Sequence, residues 1–246
     1  PSSQVVAMCA VNDFAKVADL LVHAQAGLGA NLSAFEVVWN NTYKLIDQHV
    51  PHATVPMEDH FGFYVLIESM GSHAEKDSDL FLEVLSQASE AKLIEEVIVA
   101  DSDTKIKNLW TVRDAAAEIY PGVGYMHTYD VSLNVDDMGY FGEEVESRLR
   151  SEWPDAILGL FGHIGDGNLH IVIHVGEDTL SLHLQIDEII YGLIQELHGA
   201  VSAEHGIGLM KKQFLPYSKS EPEIALMKTL KHAMDPQGIL NPGRVF

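Results

Sequence analysis

The 246 residues carry 15 lysines and arginines against 36 aspartates and glutamates, a formal net charge of -21, and 47% of them are hydrophobic. So acidic a chain excludes nucleic acid and anionic membrane surfaces as partners, because both demand basic patches, while its length and apolar content suffice for a full globular core. Cys9 stands alone, which excludes an internal disulfide and a cysteine zinc site and points to a reducing, cytoplasmic compartment.

Strand and helix patterns alternate along the chain. Gln4 to Ala10 reads as a strand, already under way close to Pro1, so a fragment or processed product is expected. Asn12-Asp13 then caps a helix whose Phe14, Val17, Leu20, Leu21 and Ala24 follow the 3.6-residue period. Leu32 to Val38 is strand-like before a helix from Asn40 to His49, and Phe63 to Ser69 is a further strand. Asp77 or Ser78 is expected to cap a helix from Asp79 to Ala91, followed by a short strand from Glu96 to Ala100. A helix from Thr104 to Ile119, a strand from Tyr125 to Leu133 and a helix from Phe141 to Glu152 come next. After a hairpin, helices are expected over Thr179 to His198, Leu209 to Leu215 and Glu221 to His232, with a strand-like stretch from Ala200 to Ala203. Met8, Met70, Met126 and Met227 fall in apolar patterns and are expected in the core, and no internal repeat stands out.

Alternating strands and helices suggest a parallel sheet, but the segment Gly162-His163-Ile164-Gly165-Asp166-Gly167-Asn168-Leu169-His170 argues otherwise. A four-residue turn at Gly165 to Asn168 forces antiparallel neighbours. The expected class is therefore α+β, a largely antiparallel sheet covered by helices. In that hairpin His163 faces His170 and Ile164 faces Leu169, with directly opposed Cβ atoms roughly 5 Å apart.

Two imidazoles so placed, with Glu204 of the later Ala203-Glu204-His205-Gly206-Ile207-Gly208 segment, make His163, His170 and Glu204 a candidate metal site. Zinc, iron and manganese take imidazole nitrogen and carboxylate oxygen, and three protein ligands leave positions open for substrate. The plainer alternative is a pair of ordinary strand-end histidines. His205 is the candidate general base, since imidazole titrates near neutral pH, and His174 reads as a solvated strand position. Arg113, among Val112 and the alanines 115–117, could offer a two-pronged clamp for a carboxylate, although the residues by themselves favour a plain surface arginine. The chain has no Gly-x-Gly-x-x-Gly, Walker-type loop or Gly-x-Ser-x-Gly elbow.

The Gly162–His170 segment, Ser202-Ala203-Glu204-His205-Gly206-Ile207-Gly208 and Asn241-Pro242-Gly243-Arg244 together resemble the C-terminal half of FAD-linked 2-hydroxyacid dehydrogenases and oxidases. Ala34-Phe35-Glu36, Trp110 to Arg113, Tyr129 to Leu133 and Met234-Asp235-Pro236 to Val245 agree, so the resemblance spans the whole chain. It implies that residues 1–246 form a ferredoxin-like cap or substrate domain with C-terminal helices, and that FAD is held mainly by a preceding N-terminal domain. It further implies a divalent metal, zinc, on His163, His170 and Glu204. His205 would be the base near the flavin, Arg113 would bind the substrate carboxylate, and Asn168 and Asn241 would contact the cofactor. The expected reaction is oxidation of a D-2-hydroxy acid to a 2-oxo acid by hydride transfer to flavin. An electron-acceptor protein or quinone follows downstream, and a homodimer is expected.

Three departures stand out. The hydroxyglutarate branch of that family carries a hydroxyl-bearing residue, a lysine and an asparagine where this chain has Ala117, Thr128 and Val172. Metal and base are thus expected to be kept and the fit to a dicarboxylate lost. Two other readings remain at this stage: a stand-alone, non-catalytic metal or carboxylate-binding module, and, more weakly, a metal-dependent hydrolase.

Overall fold

The computed structural model describes residues 1–176 and 179–246. Seven strands form one sheet, in the order β4-β1-β3-β2-β6-β7-β5, and every pairing among the described residues is antiparallel. The strands are β1 (Ser3–Val11), β2 (Leu32–Trp39), β3 (Phe63–Gly71), β4 (Glu96–Val99), β5 (His127–Ser132), β6 (Ile157–His163) and β7 (Asn168–His174). The principal helices are α1 (Phe14–Leu28), α2 (Asn40–His49), α3 (Ala74–Glu90), α4 (Asp103–Asp114), α5 (Tyr120–Val123), α6 (Val135–Glu152), α7 (Leu180–Glu196), α8 (Leu215–Ser218) and α9 (Glu221–Met234).

The order β4-β1-β3-β2 with helices after the first and third strands is the ferredoxin-like β-α-β-β-α-β arrangement. The second half repeats it: β5, α6, β6, β7, α7, and then Ala200, which bridges to Ser132 of β5 in the place of a fourth strand. The halves join where β2 pairs with β6, at Glu36–His163, Val37–Gly162 and Val38–Phe161. A repeat is therefore present in topology although none stands out in sequence. Fold class follows expectation, and the sheet is more uniformly antiparallel than expected.

One sheet face is covered by α1, α3, α6 and α7, whose buried Leu20, Phe81, Phe141 and Ile190 pack on Cys9, Val37, Ile67 and Ile171. The other face is covered only in part, by α2, α4 and α5 over Met8, Leu66, Phe161 and Val172. Burial pushes the Cys9 thiol up to about 12, so the thiolate that attacks disulfide reagents is scarce and shielded. Folded protein at pH 8 is expected to react with Ellman's reagent only as fast as it unfolds; immediate stoichiometric release of colour without denaturant would contradict this packing.

Local expectations hold best where periodicity is strong. Asp13 caps α1 by accepting from the Ala15 amide at 2.8 Å. The α3 cap differs, because the helix starts five residues early at Ala74. Asp77 sits in its first turn, accepting from the His73 amide at 2.8 Å and from the Ser3 hydroxyl. The long helix expected from Thr104 to Ile119 ends at Asp114 and passes into a 3-10 turn, Ala115–Ala117. Met8 and Met126 are core residues, whereas Met70 and Met227 are only half-buried. No described helix is long and apolar enough to cross a membrane.

Candidate active site

Charged residues are costly in strands buried on both faces, yet Glu36, Asp130, His163 and His170 all lie on the face shared with Phe161 and Val172, the one only partly covered by helices. The expected hairpin register is corrected by two residues: His170 opposes Phe161, and Leu160 opposes Ile171. After Phe161 the strands diverge into a 3-10 turn, Ile164–Asp166, closed by Gly167 at φ 78°. Gly162 is needed there, since a Cβ would lie 2.3 Å from the Asn168 carbonyl oxygen. Released from β7, His163 pairs with Glu36 instead. A slip of two preserves the face on which side chains point, so the imidazoles still meet, with ring centroids 5.3 Å apart.

Glu36 is a hub that sequence reading missed as a functional residue. Its Oε1 is 2.8 Å from His163 Nδ1, and its Oε2 accepts from Arg113 Nε at 3.0 Å and Nη2 at 2.9 Å. Arg113 closes α4 with its side chain only 14% exposed, so it is not a surface arginine. Its Nη2 lies 3.2 and 3.1 Å from the two His163 nitrogens. A donor so nearly equidistant cannot lie along both lone pairs at once. With Nδ1 engaged by Glu36, His163 Nε2 is left as the nitrogen able to bind a metal, the carboxylate–histidine pairing that orients metal ligands elsewhere. The Glu36 hydrogen bond holds the His163 imidazole above its usual range. Burial, aided by His163, holds that of His170 below it.

Asp130 is a second hub. It is 1% exposed, and its carboxylate accepts from Ser202 Oγ at 3.0 Å and from the amides of Ala203, Glu204 and His205 at 3.1, 3.2 and 3.0 Å. Lys211 Nζ adds contacts of 2.9 Å to the Asp130 carbonyl and 3.4 Å to Oδ2. Burial works to raise the Asp130 carboxyl, but these amides, Lys211 and Ser202 outweigh it and hold it below the usual range. Asp130, His170, Glu204 and His205 bring donor atoms within 4.8 Å of one another. Because the Asp130 oxygens already face N–H donors, its part in that cluster is to anchor the loop.

The donor set suits a divalent ion. Glu204 Oε1 is 3.6 Å from both His170 Nε2 and His205 Nε2. Donors about 2.0–2.2 Å from a tetrahedral ion sit about 3.4 Å apart, and two imidazoles sharing one have centroids about 5.2 Å apart. The His163 and His170 ring centroids are 5.3 Å apart, but His163 stands outside the group whose donor atoms lie within 4.8 Å of one another. The His205 side chain is 64% exposed and its ring stacks at 5.9 Å on His170.

Asn168 and Asn241 are not joined to this cluster by any contact among the described residues. Asn168 starts β7 and is buried with an Oδ1 that has no hydrogen-bond partner. Asn241 is in the exposed tail at φ 47°, and that tail returns to the His205 loop through Val245 N to the Gly208 carbonyl at 2.9 Å. Val172 and Thr128 are paired across β7 and β5, and Ala117 ends the 3-10 turn. His174 is not simply solvated, since its Nδ1 meets the Tyr125 carbonyl oxygen at 2.8 Å. The available signal for Glu36 and Asp130 was a lone acid inside an apolar strand run; what it lacked was the partner.

The description "FAD linked oxidases, C-terminal domain" matches residues 1–245. The mitochondrial D-2-hydroxyglutarate dehydrogenase of Arabidopsis thaliana is 34% identical over 245 residues, 100% of this chain and 43% of that protein. The D-2-hydroxyglutarate–pyruvate transhydrogenase DLD3 of Saccharomyces cerevisiae is 34% identical, over 94% of this chain and 48% of its own. The chain thus spans a little under half the length of these relatives. In fold it resembles p-cresol methylhydroxylase, at a TM-score of 0.68 and 11% identity, covering 100% of this chain and 53% of that one. The expectation of a cytoplasmic protein is corrected, because the similar proteins of Arabidopsis, rice and Danio rerio are named mitochondrial. A single cysteine reports a reducing environment and cannot separate cytosol from mitochondrial matrix. Matched over its whole length by that description, with relatives at one-third identity, the chain belongs to the family of FAD linked oxidases, C-terminal domain.

Proposed function

We propose that this chain is the substrate-binding half of a flavoprotein that oxidises a D-2-hydroxy acid to a 2-oxo acid. The observation that carries the reading is the convergence of one guanidinium, three imidazoles and Glu204 on a sheet face left partly uncovered. FAD supplies the two-electron acceptor, and a divalent ion, zinc being the first choice, supplies polarisation of the hydroxy acid's oxygens. The flavin would be held mainly by another part of the protein; Asn168, with its unpartnered oxygen, and Asn241 are the contacts this chain would offer it.

His163, His170 and Glu204 would hold the ion, with Glu36 fixing the His163 tautomer. Arg113, held by Glu36, aims its guanidinium at the substrate carboxylate. His205, exposed on the open face, takes the hydroxyl proton on a ring nitrogen as C2 gives up its hydride. The Asp130-anchored loop keeps Glu204 and His205 at fixed separation. Electrons then leave to an acceptor protein or quinone. The test is a screen of D- and L-2-hydroxy acids on the full-length flavoprotein, with an artificial electron acceptor, before and after chelation. D-selective turnover that falls on chelation and returns with added metal is expected; no turnover with any 2-hydroxy acid would refute the reading.

The side chains beyond the histidines favour a monocarboxylate. Lys211 is committed to Asp130 and Arg113 gives Nε and Nη2 to Glu36, so the rest of the Arg113 guanidinium would serve one carboxylate at most, and Thr128 and Ala117 bring no charge. The substitution Thr128→Lys, at an exposed position of β5, is expected to improve kcat/KM for a dicarboxylic over a monocarboxylic 2-hydroxy acid by about tenfold, as one charge-assisted hydrogen bond provides. An unchanged ratio would remove this position from the specificity argument.

A further inference from the structure

Arg113 reaches the site from α4, a helix with little apolar grip on the sheet, since Leu109 and Val112 are its only buried residues. One turn before Arg113, on the same side of the helix, Trp110 donates its indole N–H to Glu68 Oε2 at 2.9 Å. Glu68 lies in β3 and is 4% exposed. Gln4 Nε2 donates to the same oxygen at 2.6 Å, and Ser33 Oγ donates to Oε1 at 2.7 Å. Ser33 stands where β2 bulges between Leu32 and Ala34, a device that re-aims a side chain. No lysine or arginine among the described residues pairs with this carboxylate; its three donors are neutral.

A buried carboxylate is costly unless hydrogen-bonded, and the same face of β3 is otherwise lined by Leu66 and Tyr64. What the acid adds there is a fixed acceptor. Ala34 opposes Glu68 and Glu36 opposes Leu66, so the two acids are diagonal neighbours on one face, roughly 7–8 Å apart. Helix positions three apart carry their side chains about 5–6 Å apart. The pair Trp110 and Arg113 thus lands on the pair Glu68 and Glu36, the indole on the first and the guanidinium on the second. Two polar contacts one turn apart fix the rotation of α4 and its height above the sheet.

We propose that Glu68 and Trp110 are positioning residues, which set the rotation of α4 and so the reach of Arg113 toward the substrate carboxylate. The assignment rests on the reading of Arg113 as the carboxylate-binding group. Because Nε and Nη2 are held by Glu36, the guanidinium edge left for substrate is placed by the helix that carries it. A displacement of about 1 Å is enough to lose a productive contact. The charge of Glu68 is not required. A glutamine can accept from Trp110 and Gln4 through its oxygen and donate to Ser33 Oγ, which has only to turn its hydroxyl.

The test is steady-state kinetics of the full-length flavoprotein with the D-2-hydroxy acid it turns over fastest, beside hydrogen–deuterium exchange of the α4 amides. Trp110→Phe keeps the ring and loses the donor. It is expected to raise KM about tenfold, as loss of one buried hydrogen bond does, with kcat within about twofold. Glu68→Leu should do the same, and Glu68→Gln should stay near wild type. In an Arg113→Met background, Trp110→Phe should change kcat/KM by less than about twofold, since the group it positions is gone. Exchange should quicken in α4 and not in α2 for Trp110→Phe and Glu68→Leu, whereas Asn108→Ala, on the exposed side of α4, should alter neither reading. Equal losses from Trp110→Phe in both backgrounds would overturn action through Arg113. A Glu68→Gln protein as impaired as Glu68→Leu would overturn the neutral-acceptor role. Unchanged α4 exchange would overturn the anchor itself, and that measurement stands whether or not any 2-hydroxy acid is turned over.

Discussion

Asp130→Ala is expected to destabilise the full-length protein by about 3–5 kcal/mol, the cost of leaving a buried partner charge uncompensated. Lys211, only 13% exposed, would lose its carboxylate, and the amides of Ala203, Glu204 and His205 would lose their shared acceptor. The same loop presents Glu204 and His205, so turnover and bound metal should fall together, turnover by at least about 100-fold as expected for a misplaced catalytic group. Asp130→Asn keeps one acceptor oxygen and should stay folded, which allows the effect on the site to be read apart from unfolding. Thermal melts, metal analysis and kcat are the measurements. A stable Asp130→Asn protein with wild-type metal and kcat would show that the loop holds its shape without this anchor.

The second large effect is expected at His205. Removing a general base costs about 100- to 10,000-fold in rate, and His205→Ala should fall in that range with flavin absorbance unchanged. Its side chain is well exposed, so loss of stability should be small, unlike at Asp130. Turnover near wild type in this variant would strip His205 of the base role, and a variant that loses metal instead would place it among the ligands. The 3.6 Å separation from Glu204 makes that second outcome physically meaningful.

Periodicity located most helices, because an amphipathic face three or four turns long leaves a strong trace, as in α1 and α2. It failed at α3, where Ala74 to Ser78 gives no apolar beat and the helix start is set by Asp77 bonding back to His73 and across to Ser3. It failed again after Asp114, where alanines fit a 3-10 turn as readily as an α-helix.

The histidines, Glu204 and the antiparallel class were legible because each rests on neighbours close in sequence: a glycine-rich turn, two apolar runs, one short motif. Glu36 with Arg113, and Asp130 with the 202–205 loop, are joined across 77 and more than 70 residues. An isolated acid in a strand gives no hint of which distant donor satisfies it. The true register of His163 belongs to the same class, since β2 captures it only when the two halves of the sheet meet. Sequence alone thus determined which chemical groups the protein carries and the period of the elements that bear them. The tertiary structure decided which groups share a face and an orientation, because burying Glu36 and Asp130 is tolerable only where partners remote along the chain converge on them.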